Sequence, residues 1–157
     1  MDRKAWEIVR SVNVLFPTAK ILGEGRFKVV FSLDQDRVLK ISKTEIGAVM
    51  ERETYEKIKK IPGLKEQAAW TLYLSSRVQL QQRTKPCRMP KTEIKKWQGW
   101  FRPHKICDIR RANIGLGNDG KHVLIDWLPH GWKEREAAQL RLQNNTKPLV
   151  ALQVEDS

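Results

Sequence analysis

The feature that most limits the fold is a pair of spaced glycines between two short apolar runs. Segment 21–31 is typical of a strand, a tight turn at Gly23 and Gly25, and a returning strand. Glycine allows close approach of the backbone to another group, and such a turn can present N–H groups to phosphate. An ordinary β-hairpin has the same pattern, so its meaning depends on the residues that follow.

A lysine lies inside the next apolar strand. In residues 37–42, alternation places Val38 and Lys40 on one face and Leu39 and Ile41 on the other. Lys40 is therefore either a solvated strand lysine or an ammonium group held ready for an anionic ligand.

A helix is predicted after this strand. Residues 44–60 are rich in helix formers, and Pro62 and Gly63 end the segment. The helix carries Glu51 and Glu53, which point to different sides because they lie two positions apart. Both glutamates are equally compatible with a charged, solvated helix face.

Three further patterns add a helix and two strands. Asp2 can cap a helix whose apolar positions recur at helical spacing over 5–16, and Pro17 ends it. Segments 70–74 and 78–82 alternate between apolar and polar residues and are predicted to be strands.

Segment 83–111 is strongly basic, with ten Lys and Arg residues against two acids. Within it, residues 92–100 are predicted to be a helix, with Ile94, Trp97 and Phe101 at near-helical spacing. The segment is either a solvated basic face with its aromatic residues turned inward or a docking surface for an acidic protein or nucleic acid.

Three side chains with hard oxygen atoms follow this basic segment. Asn113 lies five residues after Asp108, and Asp126 ends the apolar run of a hairpin predicted over 114–125. Such oxygen atoms can hold Mg²⁺ and a nucleotide phosphate. Two loop acids and an asparagine also occur by chance in many domains.

Taken in chain order, these residues resemble the protein kinase-like superfamily over about residues 21–126. The matching residues are Gly23, Gly25, Phe27, Val29, Val38, Lys40, Glu51, Asp108, Asn113 and Asp126. The resemblance implies an α+β protein kinase-like fold with an antiparallel small-lobe sheet and a truncated helical large lobe. It implies one minimal domain over 1–157, divided into a small lobe (about 18–83) and a reduced large lobe (84–157).

The resemblance also implies catalytic roles. Asp108 would orient the attacking hydroxyl and accept its proton, and Arg110 would neutralise the transferring phosphate. Lys40 would bind the α- and β-phosphates and pair with Glu51, which is preferred over Glu53 because of its helix face.

ATP and Mg²⁺ are the cofactors that the resemblance implies. Gly23 and Gly25 would cover the phosphates, and Asn113 and Asp126 would bind Mg²⁺. By the same analogy, the backbone near residues 81–83 would bind the adenine.

The sequence departs from the kinase pattern in three places. Lys28 replaces the third glycine of the loop. Ile106-Cys107 precede Asp108 in place of His-Arg, and Trp127-Leu128 follow Asp126 in place of Phe-Gly. These departures are more typical of the atypical and small-molecule kinase branches.

Thirty-one residues follow Asp126, so we expect a reduced large lobe of the kind found in a phage or another compact genome. Residues 133–142 are predicted to be a helix. Residues 144–148 are predicted to break it, and 149–152 to form a short strand or pack loosely.

Composition limits the setting of the protein. The 157 residues carry a formal net charge of +12, which attracts phosphates, nucleic acids, acidic proteins or anionic lipid. No apolar run is long enough to span a membrane, and Cys87 and Cys107 lack metal-type spacing, so we expect reduced thiols in a cytoplasmic protein.

Two classes of function fit the sequence. The first is an ATP- and Mg²⁺-dependent kinase, acting on Ser or Thr hydroxyls of an acidic protein or on a small alcohol. The second is a kinase-fold binding protein that docks on an acidic host or partner protein and inhibits or redirects it. Nucleic-acid binding through the basic segment is a weaker alternative.

Overall fold

A five-stranded antiparallel sheet forms the first half of the molecule. The computed structural model describes residues 1–155, with the backbone alone for 146–155. The strands are β1 (Lys20–Glu24), β2 (Lys28–Ser32), β3 (Arg37–Ser42), β4 (Thr71–Tyr73) and β5 (Val78–Gln82). They lie in the order β1-β2-β3-β5-β4, which confirms the predicted antiparallel sheet.

The apolar face of the sheet is covered by helix α1 (Arg3–Leu15). The helix begins where the Asp2 side chain accepts a hydrogen bond from the Ala5 N–H at 3.0 Å, which confirms the predicted cap. Val9 and Val12 of the helix are buried against the sheet. From the sheet, the same cluster contains Val29, Phe31, Leu39, Ile41 and Leu80.

The opposite face of the sheet is polar and yet almost wholly buried. Lys40 lies opposite Val30 of β2 and opposite Gln79 of β5. Because side chains alternate along a strand, Lys28 and Gln81 lie on this face too. Lys40, Gln79 and Gln81 are all buried, so this face needs polar partners from the rest of the chain.

Helix α2 (Glu45–Lys60) follows β3 and carries Glu51. It begins where the Thr44 side chain accepts a hydrogen bond from the Gly47 N–H at 3.1 Å. It ends before a turn in which Gly63 has a φ of 88°. The predicted helix and both of its ends are confirmed.

The second half of the fold is built on helix α3 and two small ladders. Its elements are β6 (Lys85–Pro86), α3 (Lys91–Phe101), β7 (Ile106–Cys107), β8 (Ile114–Leu116), β9 (His122–Leu124) and β10 (Leu128–Pro129). β7 pairs with β10, and β8 lies between β6 and β9. Trp97, Phe101 and Trp127 are buried in its core, together with Ile58 of α2, so the two halves share packing.

Helix α4 (Trp132–Glu155) ends the described chain. The prediction of a helix over 133–142 is confirmed, but the predicted break and the short strand over 149–152 are wrong. A run of four apolar residues is compatible with a helix as well as a strand, and the helical backbone continues through Pro148. Within residues 1–155, no helix combines the length and apolar character needed to cross a membrane.

The observed architecture is α+β, as expected. An antiparallel sheet, a helix carrying Glu51 and a smaller second half containing Asp108 follow one another in the order that the resemblance implies. The division into lobes near residue 83 stays a prediction.

Candidate active site

A cavity of about 420 Å³ lies between the glycine turn and the two ladders of the second half. It is lined by Gly25, Arg26, Phe27, Lys28, Val30, Gly47, Glu51, Asp108, Arg110, Asn113, Asp126, Trp127, Leu128, Trp132 and Lys133. Most of the site residues predicted from the sequence therefore meet at one place, whereas Gly23 and Lys40 do not line this cavity.

Backbone pairing brings Asp108 and Asp126 together. β7 immediately precedes Asp108 and β10 begins two residues after Asp126, and these two strands pair with each other. The N–H of Ile125 donates to the carbonyl of Asn113 at 2.9 Å. Residues that are far apart in sequence are thus fixed by ladder geometry rather than by loop conformation.

Asp108 has a left-handed backbone, with a φ of 67°. This conformation is uncommon outside glycine, although aspartate and asparagine tolerate it better than most residues. Its Oδ2 accepts a hydrogen bond from Asn113 Nδ2 at 2.8 Å, and its Oδ1 pairs with Arg110 Nε at 3.2 Å. Such outliers cluster at functional sites.

Asn113 is buried in a short 3₁₀ turn after Asp108. Its Nδ2 donates to the backbone carbonyl of Asp108 and to the Asp108 carboxylate, both at 2.8 Å. Because both amide hydrogens are used in this way, its Oδ1 is left as an acceptor. The spacing of Asp and Asn thus has a direct structural role in fixing both side chains.

Glu51 forms its ion pair with Lys28 instead of the expected Lys40. The Lys28 Nζ also contacts Asp126 Oδ1, so this ammonium group bridges two carboxylates. Lys28 is two residues closer to the glycine turn than Val30, the partner of Lys40 in the sheet. It therefore reaches α2 at the cavity, where Lys40 does not.

Lys40 is turned toward the chain just before Asp126. Its Nζ donates to the Ile125 carbonyl at 2.5 Å and to Asp126 Oδ1 at 3.2 Å. Gln81 Nε2 donates to the same carbonyl at 3.2 Å. Two buried side chains of the sheet thus hold the backbone that carries Asp126.

The charges of this cluster shift one another's pKa values. Burial lowers the pKa of Lys40 to about 8, because the attraction of Asp126 only partly offsets the loss of water. For Lys28, burial acts in the same direction, but Asp126 and Glu51 outweigh it and raise the pKa well above its usual value. Burial alone would raise the pKa of Asp126, yet the two ammonium groups hold it far below its usual range.

The glycine turn is shaped by its aromatic residue. Phe27 packs edge-on against Trp132 with ring centroids 5.5 Å apart. A Cβ added to Gly47 would lie 2.9 Å from the Phe27 ring, so α2 approaches closely here. Gly25 lines the cavity, whereas Gly23 lies in β1, and the structure does not bring it to the cavity wall.

Sequence reasoning missed three contributors to this site. The sequence pattern shows Lys28 only as the residue in place of the third glycine of the loop, with no role in the site. Trp127 donates from Nε1 to the Glu51 carbonyl at 3.1 Å and stacks on Tyr55 at 5.2 Å, and so ties α2 to the residue after Asp126. Trp132, at the start of the tail helix, lines the cavity and packs on Phe27 of the glycine turn. Alternation along the strand was an available signal, because it places Lys28 on the face opposite the apolar Val29 and Phe31.

The oxygen atoms at the cavity fit a magnesium-bound nucleotide. Asp126 offers a carboxylate and Asn113 an amide oxygen, both of the hard type that Mg²⁺ prefers. The described part of the chain contains no group of three or more His, Cys, Asp or Glu residues that could hold a metal ion. The Lys28 ammonium against Asp126 shows that a positive charge is accommodated here.

Neither a protein-family model nor a characterised protein sequence matches the chain. Among solved structures, it is similar to the complex of APH(2'')-IIa with streptomycin and ATP, at 19% identity over 61% of this chain and 33% of that chain, with a TM-score of 0.36. It is also similar to the ADP-bound aminoglycoside phosphotransferase APH(2'')-Ib, at 18% identity, 61% and 33% coverage, and a TM-score of 0.37. The chain spans about a third of the length of these proteins. Because these identities and TM-scores are low, no activity or substrate of these proteins is assigned to this chain.

Proposed function

We propose that the protein is a phosphotransferase that uses ATP with Mg²⁺ to phosphorylate a hydroxyl group. The observation that carries the proposal is the meeting of Asp108, Asn113 and Asp126 on one cavity, facing Gly25 and Lys28 of the glycine turn. Catalysis of phosphoryl transfer consists mostly of positioning and charge neutralisation, and this cavity is built of such groups. Mg²⁺ bound by Asn113 and Asp126 would neutralise charge on the phosphates.

Asp108 is the proposed catalytic base. It would accept the proton of the acceptor hydroxyl while the hydroxyl oxygen bonds to the γ-phosphorus and the bond from that phosphorus to the β-phosphate oxygen breaks. Asn113 holds the Asp108 carboxylate in one orientation. Arg110, which pairs with Asp108 at 3.2 Å, would move from the carboxylate to the transferring phosphate.

We further propose that the acceptor is a Ser or Thr hydroxyl of an acidic protein. Arg110 and Lys133 line the cavity and are exposed, and the chain carries a net charge of +12. A basic rim attracts an anionic acceptor and disfavours a polycationic one. We propose that the protein acts in the cytoplasm, because Cys87 and Cys107 are free thiols, which suits a reducing compartment.

Transfer of labelled phosphate from ATP in the presence of Mg²⁺ tests whether Asp108 is the catalytic base. Asp108→Asn keeps a side chain that tolerates the left-handed backbone, so it should stay folded. We expect labelling of an acidic protein to fall by about 10²- to 10⁴-fold, the usual contribution of a general base. Equal labelling by this variant and the wild type would contradict the proposal.

Thermal stabilisation by Mg-ATP tests the metal site separately. Asp126→Asn should lose most of the stabilisation, whereas Asp108→Asn should keep it, because Asp108 acts on the acceptor. Asp119→Asn, in the exposed turn between β8 and β9, is the matched control and should behave like the wild type. Retention of full stabilisation by Asp126→Asn would argue against its role in binding Mg²⁺.

A second candidate function is binding of an acidic partner protein. It is favoured by the exposed side of α3, where basic residues surround Trp100, a tryptophan that is 44% exposed. The exposed basic residues are Lys91, Lys95, Lys96 and Arg102. Such a surface could inhibit or redirect a host or partner protein without any catalysis, and nucleic acid is the weaker alternative ligand.

A further inference from the structure

We propose that two lysines of the sheet have separate roles: Lys28 binds the nucleotide phosphates, and Lys40 positions Asp126. The resemblance to the kinase-like superfamily implies phosphate binding by Lys40, so this inference reassigns the principal phosphate contact. It rests on the proposed function and deepens it, because it says which cation faces the nucleotide.

Lys28 is the lysine of the sheet that reaches the cavity. It lines the cavity wall, and its side chain is 11% exposed. Its ammonium group contacts Glu51 Oε1 on one side and Asp126 Oδ1 on the other. Its backbone follows Phe27, which is held by Trp132. An ammonium on the cavity wall is placed to meet a phosphate oxygen.

Lys40 lies behind this layer. Its side chain is 4% exposed and is absent from the cavity wall. Its shortest contact is to the Ile125 carbonyl, at 2.5 Å, which Gln81 also binds. A lysine used in this way fixes the backbone that presents Asp126.

The local charges agree with this division. Lys28 lies between the carboxylates of Glu51 and Asp126, whereas Lys40 has Asp126 and the neutral Ile125 carbonyl as its partners. Both lysines contact the same oxygen of Asp126, Oδ1, and Lys28 is the one of the two that lines the cavity. When a nucleotide enters, Lys28 can keep Glu51 and exchange Asp126 for a phosphate oxygen, which frees that carboxylate.

Binding of ADP, with and without Mg²⁺, separates the two roles. Dissociation constants are measured by calorimetry for adenosine, for ADP in EDTA and for ADP with Mg²⁺. The difference between adenosine and ADP in EDTA reports phosphate contacts by the protein alone. The further gain with Mg²⁺ reports the metal site that Asp126 serves.

Lys28→Met alone would leave the buried carboxylate of Glu51 unpaired, which is destabilising, so the test variant is Lys28→Met with Glu51→Gln. We expect its affinity for ADP in EDTA to fall by about ten- to a hundredfold, the size expected for one hydrogen bond between charged groups. Adenosine affinity should be unchanged. Glu51→Gln alone keeps the ammonium but removes its carboxylate partner, so it should lose less affinity for ADP in EDTA than the double variant, and the difference between the two reports the Lys28 contact.

Lys40→Met should keep the affinity for ADP in EDTA within about threefold of the wild type and lose only the gain that Mg²⁺ adds. Circular dichroism checks that each variant is folded. The reverse pattern, in which Lys40→Met loses the phosphate contribution and the double variant keeps it, overturns the inference alone. Absence of any ADP binding by the wild type overturns both the inference and the proposed function.

Discussion

At the scale of single residues, two lysines on one face of a sheet have pKa values shifted in opposite directions. Lys28 lies between two carboxylates, while Lys40 is more deeply buried and shares Asp126 with it. The proximity of Lys28 itself contributes to lowering the pKa of Lys40. A pair of like charges with pKa values pushed apart is a common arrangement at reaction centres.

The lowered pKa of Lys40 predicts a specific dependence of stability on pH. Lys40 has a pKa of about 8 in the folded protein, against an ordinary value of 10.5. Between these values the unfolded chain binds more protons at Lys40 than the folded chain does, so the free energy of unfolding should rise with pH. Relative to Lys40→Met, the wild type should gain at most about 1.4 kcal/mol per pH unit.

Urea unfolding of both proteins at pH 7.5 and 9.5 measures this difference. Subtracting the variant from the wild type removes the contributions of other groups that titrate in the same range, such as Cys107, whose thiol pKa is raised by burial. A difference that stays level or falls with increasing pH would contradict the prediction.

The residue types of the site could be predicted from the sequence, but not all of their partners. Asp108, Asn113 and Asp126 are singled out by the resemblance to the kinase-like superfamily, and backbone pairing brings them together. Lys28 was not predicted as the partner of Glu51, because alternation shows on which face of the sheet a lysine lies but not how close it lies to the cavity. That distance depends on the β2–β3 register and on where α2 crosses the sheet.

At the scale of elements, the first turns of α4 support the glycine turn. Trp132 packs on Phe27, and Glu136 accepts a hydrogen bond from Arg26 at 2.5 Å. Arg135 of the same helix pairs with Glu53 of α2 at 2.8 Å. The tail helix thus connects α2 to the glycine turn, and the cavity depends on it.

Trp132→Ala should therefore loosen the glycine turn. Loss of the ring contact should lower the free energy of unfolding by about 0.5–1.5 kcal/mol, beyond the effect of lost burial. Faster hydrogen exchange is expected at the amides of residues 25–28, with weaker nucleotide binding as a consequence. Trp100→Ala, which removes an exposed tryptophan of α3, is the control. Unchanged exchange in the glycine turn would show that α4 does not support it.

Elements with strong local signals were predictable, and the chain after residue 142 was not. Caps at Asp2 and Thr44 and the turn at Gly63 mark helix ends by local chemistry. The segment after residue 142 lacks such a signal. Proline removes one hydrogen-bond donor from a helix without forbidding its continuation, and four apolar residues have no decisive period.

At the scale of the whole molecule, positive charge dominates the surface. The net charge of +12 attracts many anions at long range. Specific docking also requires that one part of the surface contribute more to binding than the rest of the surface does. The exposed side of α3 is the proposed surface, because its basic residues lie beside the exposed Trp100.

Matched charge reversals separate local docking from general attraction. The test variant replaces Lys95, Lys96 and Arg102 with glutamate. The control replaces Lys59, Lys60 and Lys65, which are also exposed but lie outside α3. Both variants change the net charge equally, so any difference in binding between them arises from the position of the charges.

Fluorescent poly-glutamate is the defined acidic probe, and its binding should weaken with increasing salt because exposed charges are screened. We expect the α3 variant to bind at least about tenfold more weakly than the control, a difference of about 1.4 kcal/mol. Asp108→Asn should bind the probe like the wild type, since docking does not need the base. If both charge reversals weaken binding equally, the basic residues act only through general electrostatic attraction, and α3 is not a specific docking surface. Tighter binding of duplex DNA than of poly-glutamate would instead favour nucleic acid as the ligand.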